Sequence, residues 1–307
     1  MIIAEVVRSG FVESHHHGSV VVLDASGEVR DAVGDVTGPI FPRSSNKPMQ
    51  TVGMLRSGLV PGDPADLALM SGSHLGEPFH IERVRRILSD AGLTPDALRC
   101  VPDLPLSEPD REAVLRAGGR AEPILMNCSG KHAGLLTTCV ANGWPLEEYL
   151  DPKHPLQVAL AETVAELAGE PIAATGVDGC GAPVFAFSLT ALARAYLRLV
   201  DAEPGTHERR VADEMRVHPE LVAGTGADDT VLMGAVPGLL AKGGAEGVVA
   251  VAVPGAGAVA IKVEDGGMRA RTPVLLSALH RLGVATPAIA TPILGGGRPV
   301  GEVRAVW

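Results

Sequence analysis

Residues 247–267 read GVVAVAVPGAGAVAIKVEDGG, and the fold class turns on what the glycines at their centre do. Gly255, Gly257 and Ala260 match the dinucleotide-binding spacing G-x-G-x-x-A, which requires a strand, a tight turn and then a helix. The flanks say otherwise. VVAVAV before the glycines and AVAIKV after them are both short, apolar and rich in β-branched residues, so the glycines turn one strand back along the next. This is an antiparallel hairpin, and nucleotide binding is set aside.

A second hairpin is written near the N-terminus. In SVVVLDASGEVRDAVGD (19–35), Ser26-Gly27 separates two strand-like runs, and IIAEVV precedes them. Between the two strand regions the apolar spacing is helical. It begins near Lys47 to Ser57 and recurs in IERVRRILSDAG, where Ile81, Val84, Ile87 and Leu88 share one face. It continues in REAVLRAGG, HPLQVALAETVAELAG, FSLTALARAYLRLVDAE and HERRVADEMRVHPELVAG, each stopped by glycine or a polar turn. Strands are expected to return only in 247–267, followed by one helix, TPVLLSALHRLG. Strands at both ends of a helical middle (about 44–235) imply an α+β fold whose termini share one antiparallel sheet. With no internal repeat or low-complexity linker, 1–307 reads as one structural unit.

Composition narrows the function. Hydrophobic residues are 46% and charged residues 20%, which excludes a disordered chain. Aromatic residues are only 3%, so the core is aliphatic and base-stacking platforms are not expected. The formal charge of -10 opposes nucleic acid and anionic membrane partners. No apolar run is long enough to span a bilayer, and MIIAEVVRSGFVES lacks the pattern of a secretory signal, so a cytoplasmic location is expected. Cys100, Cys128, Cys139 and Cys180 form no CxxC pair and are too few for a disulfide framework. They read as reduced thiols or metal ligands. His15, His16 and His17 lie inside the strand pattern VESHHHGSVVV and read as native sequence.

Four elements carry chemistry. PRSSNKPMQTVGMLRSG (42–58) holds Ser44 and Lys47 in an SxxK spacing at a helix start, which places the Lys47 amine within reach of the Ser44 hydroxyl and turns Ser45 elsewhere. Pro48 is tolerated there because the first amides of a helix have no internal acceptor. SGSHLGE (71–77) offers a second hydroxyl, Ser73. KGGAEGVVAVAV (242–253) places Lys242 and a glycine pair at a strand edge, the layout of the KTG element of β-lactamase-like serine enzymes. The remaining element pairs NCSGKHAGLLTTC (127–139) with DGCGAP (178–183). Cys128, Lys131 and His132 open a helix, and Asp178 and Cys180 lie in a glycine-rich loop able to reach them. Two thiolates with nitrogen donors suit zinc. Alternatively, Cys128 is a nucleophile activated at the helix N-terminus, or both are structural thiols.

Taken together, VESHHHG, PRSSNKPMQ, SGSHLGEPFH, NCSGKHAG, VDGCGAP, HPELVAGTG and KGGAEGV resemble the asparaginase II family, the rhizobial type, from about Glu13 to about Asp265. The resemblance implies an L-asparagine amidohydrolase on a β-lactamase/glutaminase-like fold, a homodimer acting on a small-molecule amide. It carries catalysis to Ser44, Lys47, Ser73 and Lys242. In the reaction expected from these residues Ser44 attacks the amide, neutral Lys47 takes its proton and Ser73 protonates the departing nitrogen. The resemblance also implies zinc on Cys128, Lys131 and Cys180, and the substrate-binding set is Arg43, His132, Asp178 and Gly244. One departure is GTGADDT (224–230), where an arginine is expected near Ala227. The rival readings are a glutaminase or other small-amide hydrolase, and a noncatalytic zinc-binding or ligand-sensing protein on the same fold.

Overall fold

The two ends of the chain meet in one antiparallel sheet in the computed structural model, which describes residues 1–307. Strands β1 (Ile2–Arg8), β2 (Phe11–Asp24), β3 (Val29–Val33) and β4 (Pro39–Ile40) come first. A 3-10 turn, Arg43–Asn46, runs into α1 (Lys47–Arg56). It is followed by α2 (Asp66–Met70), α3 (Pro78–Asp90), α4 (Glu108–Arg116), α5 (Ser129–Asn142) and α6 (Pro155–Ala168). Strands β5 (Ala174–Val177) and β6 (Pro183–Ser188) precede α7 (Leu189–Asp201), α8 (His207–Val217), α9 (Pro219–Val222) and α10 (Asp228–Ala235). Strands β7 (Leu240–Gly244), β8 (Val248–Val253) and β9 (Gly257–Val263) lead to α11 (Arg271–Arg281), and β10 (Pro292–Gly295) and β11 (Arg298–Ala305) follow.

The main sheet runs β10-β11-β1-β2-β9-β8-β7, with β3 also on β2. Ala4 lies opposite Ala305, so the terminal strands pair directly. Residues 247–267 form the expected hairpin: Val253 faces Gly257 across a turn in which Gly255 (φ 72°) and Gly257 (φ 138°) take backbone angles that glycine adopts freely. The Ser26-Gly27 turn likewise joins β2 to β3. Every residue of β8 is buried, as a strand covered on both faces requires. Helix α7 lies against β2, β8 and β9, and α11 against β9 and β11. In the helical part α1 touches α2, α5, α6 and α8.

Three expectations need correction. The helical middle contains β5 and β6, which join β4 in a separate three-stranded sheet. PVFAFS is a short, wholly buried apolar run leading straight into α7, and periodicity cannot distinguish such a strand from the first turn of the helix. Strands return at Leu240 rather than 247, because LAKGG is too small and glycine-rich to show β periodicity. The last helix is followed by the β10–β11 hairpin, which supplies the strand that joins β1.

Glycines set the closest approach of the helices. A Cβ on Gly130, in α5, would lie 2.6 Å from Leu69 Cγ and 2.8 Å from the Leu69 carbonyl oxygen in α2. Since backbone cannot yield as a side-chain tip does, Gly130→Ala should lower stability by about 1–3 kcal/mol through overpacking. Urea unfolding tests this, and an unchanged midpoint contradicts the packing argument.

Candidate active site

The site is built where the edge strand β7 meets the 3-10 turn ahead of α1. A Cβ on Gly244 would lie 2.6 Å from the Pro42 carbonyl oxygen, so glycine permits strand and turn to touch. Ser45 ties them together: its Oγ donates to the Lys242 carbonyl at 2.9 Å, while its own carbonyl accepts the Tyr196 hydroxyl at 2.7 Å. Arg43 has φ 53°, the left-handed region that a non-glycine residue seldom adopts. Its Nε donates to Asp178 Oδ1 at 2.7 Å, a charge-assisted bond that holds the turn in this conformation. Ser44, between these anchored neighbours, makes no side-chain hydrogen bond and lines a cavity of about 540 Å³ with Ser73, Asn127, Lys242 and Gly244.

The two site lysines are buried in different ways. Lys47 Nζ donates to Ser73 Oγ at 2.8 Å, to Cys128 Sγ at 3.1 Å and to the Gly72 carbonyl. Three acceptors match the three donors of an ammonium. The SxxK spacing therefore does not bring the Lys47 amine onto Ser44; the long side chain passes Ser44 and ends on the Ser73 loop. Lys242 Nζ donates to the Gly243 carbonyl at 2.5 Å and lies 3.8 Å from Asp229 Oδ2. Burial lowers its pKa, Asp229 pulls it partly back, and Lys47 and Arg271 lower it further, to about 8. Asp229 is itself fixed, accepting the Gly243 N–H at 2.7 Å.

The Ser73 loop is held by its backbone. Ser73 N–H donates to the Val222 carbonyl at 2.8 Å, His74 N–H to Asn127 at 3.0 Å and Leu75 N–H to Ala223 at 2.8 Å. Behind it the buried His74 ring stacks on His80, and its Nε2 lies 3.0 Å from Ser129 Oγ. Ala227 also lines the cavity, so no arginine projects from that point.

Cys128, Lys131 and Cys180 come together behind the cavity. Cys128 precedes α5, and Lys131 Nζ donates to Cys180 Sγ at 3.3 Å. The hydrogen bond from Cys128, together with Lys131 and His132, holds the Cys180 thiol far below its usual range; sharing the same proton, and burial, drive Cys128 well above it. Burial opposes a charge on Lys131, but Cys180, Cys128 and Asp178 outweigh it and raise the pKa. In this state Lys131 and Cys180 form an ion pair. No three His, Cys, Asp or Glu side chains gather as a metal site, so a metal ion here requires the Lys131 amine as its third ligand. The donor set fits zinc in kind, and the buried His132 ring lies beside it, interacting with Cys180. The other ring nitrogen, Nδ1, is 2.7 Å from the Tyr149 hydroxyl.

Not every expected binding residue faces the cavity. Gly244 does, but His132 is fully buried against Tyr149, and Arg43 and Asp178 are engaged with each other. The cavity wall adds Asn127 and Arg271, which sequence reasoning passed over. Asn127 stands at the head of NCSGKHAG and was open to notice. Arg271 was not, because its place depends on α11 returning beside β7.

No curated protein matches the chain. Among solved structures it is similar to a β-lactamase from Mycobacterium bovis, at 15% identity and TM-score 0.44, covering 86% of this chain and 94% of that one. It is also similar to a mutant simvastatin synthase from Aspergillus terreus, at 14% identity and TM-score 0.43, covering 86% and 92%. Mglu in its tris and glutamate form gives 17% identity and TM-score 0.36 over 91% and 63%. Residues 4–305, nearly the whole chain, match the family L-asparaginase II. The protein belongs to the L-asparaginase II family.

Proposed function

We propose that the protein hydrolyses the side-chain amide of L-asparagine through an acyl-enzyme on Ser44. One observation supports this above others: Ser44 carries a free hydroxyl in a cavity shared with an amine, Lys242, whose pKa is brought down to about 8. A serine attacks only when a base accepts its proton, and a lysine serves as that base only when it is neutral. Ser44 Oγ bonds to the amide carbon as its proton passes to Lys242. The tetrahedral adduct then collapses, the C–N bond breaks, and the departing nitrogen takes the Ser73 hydroxyl proton, replaced from Lys47 along their 2.8 Å hydrogen bond. Ammonia leaves. Water attacks the ester, giving its proton through Ser73 to Lys47, while Lys242 returns a proton to Ser44 as aspartate departs. The lysines thus exchange roles between the two halves of the reaction.

Cys128, Lys131 and Cys180 would hold zinc behind this cavity, with His132 Nε2 adjacent. Bound there, zinc would supply positive charge beside the thiols. Lys131 must lose its proton to serve as a ligand, so affinity falls with acid.

Ser44→Ala should lower kcat by at least roughly a thousandfold, as loss of a nucleophile does. Ser45→Ala should cost about 1 kcal/mol of stability from its lost hydrogen bond and retain most turnover. An ammonia-release assay on asparagine, glutamine and a chromogenic β-lactam measures both variants and separates asparaginase from other amide hydrolases; full activity in Ser44→Ala refutes the serine mechanism.

The base must be deprotonated, so kcat/KM should climb as pH rises through about 8 and level off above it. A profile flat on both sides of that value excludes Lys242 as the base.

Purified protein should carry zinc bound through Cys128, Lys131 and Cys180, and Lys131→Met should lose it. Elemental analysis decides the point: equal metal content in the two proteins, or none in either, returns the cysteines to a structural role.

A further inference from the structure

The cavity beside Ser44 contains one cation that the protein leaves without a counter-charge. Arg271, the first residue of α11, lines the wall with its guanidinium against the backbone of Gly243, where any larger residue would collide with it. It has no hydrogen-bond or ion-pair partner. The acidic side chains nearby are committed elsewhere: Asp228 accepts the Thr272 hydroxyl, and Asp229 accepts the Gly243 N–H and faces Lys242. The other arginine of the site, Arg43, is paired with Asp178 at 2.7 Å and with Glu246 at 3.8 Å.

A guanidinium presents five donors in a planar fork and no acceptor, and its closest match in shape and charge is a carboxylate bound through two parallel hydrogen bonds. The Arg271 guanidinium keeps its positive charge at any working pH, so an arriving anion meets a full charge there. We propose that Arg271 binds the α-carboxylate of the substrate and so restricts the cavity to amides that carry a free carboxylate. The inference rests on the amidohydrolase reading above and names the group by which that substrate is recognised. Arg271 acts on specificity and takes no part in proton transfer.

The test compares wild type, Arg271→Met and Arg271→Lys on L-asparagine and on its α-methyl ester, with L-aspartate binding measured by calorimetry on the same proteins. Loss of a charge-assisted pair should lower kcat/KM on asparagine by roughly 10- to 100-fold in Arg271→Met, chiefly through KM, with a much smaller loss on the ester. Arg271→Lys should fall between, aspartate affinity should drop by the same factor, and wild type should itself prefer the acid to the ester. Thermal melting shows whether each variant is folded. Equal losses on acid and ester, no loss on either, or a wild type that binds no aspartate overturns the assignment. If wild type turns over no amide yet binds aspartate in an Arg271-dependent way, the hydrolase reading fails and the carboxylate site stands. If turnover is present and indifferent to Arg271, the reverse holds.

Discussion

Three ammonium groups buried in one region set the terms for the rest of the structure. Lys47, Lys131 and Lys242 are each no more than 2% exposed, and a buried charge costs several kcal/mol unless something nearby compensates it. The protein answers in three different ways. Lys47 is surrounded by three acceptors, Lys131 stands against the Cys180 thiolate, and Lys242 becomes an amine that gives up its proton near pH 8. The proposed serine chemistry rests on the third answer, since it would leave a neutral base in the cavity that holds the free Ser44 hydroxyl. The first answer keeps a proton donor on Ser73.

That arrangement demands close contact between elements far apart in the chain. Lys242 reaches the cavity only because β7 lies against the turn that carries Ser44, and glycine at 244 allows the approach. Ser45 then serves as a fastener while its neighbour remains free, so two adjacent serines have opposite fates. The left-handed Arg43 and its bond to Asp178 fix the turn from the other side, and Asp178 belongs to the same loop as Cys180. The turn that carries Ser44 and the thiol cluster are thereby joined through one short loop.

Much of this was legible in the residues. The 247–267 hairpin reads correctly because its glycines are flanked by strands on both sides, and it pairs with the N-terminal strand β2; the strand that joins β1 lies in the later β10–β11 hairpin, which the sequence pattern did not show. The cysteine–lysine cluster follows from NCSGKHAG and DGCGAP. Lys47 misled because helical spacing describes Cβ positions, while a four-carbon side chain ends wherever acceptors are, here on Ser73. His132, Arg43 and Asp178 were placed among the binding residues, but burial and mutual pairing depend on neighbours that no local pattern encodes. Strands β5 and β6 were hidden inside an apolar run that continues into α7. One signal went unused: the chain has five lysines against 21 arginines, and three of the five lie in the site. Where arginine serves nearly everywhere else, three buried lysines in one region stand out, since a buried amine can shift its pKa and a guanidinium cannot.

The central claim is that Ser44 carries the acyl group, and it is tested most directly by trapping that intermediate. Protein mixed with L-asparagine or its hydroxamate analogue and quenched in acid should show, by intact mass, the addition of one aspartyl group. Proteolysis and fragment sequencing should then place the group on Ser44, with no adduct in Ser44→Ala. An aspartyl group found on Cys128 or Ser73, or an adduct that persists in Ser44→Ala, contradicts the account.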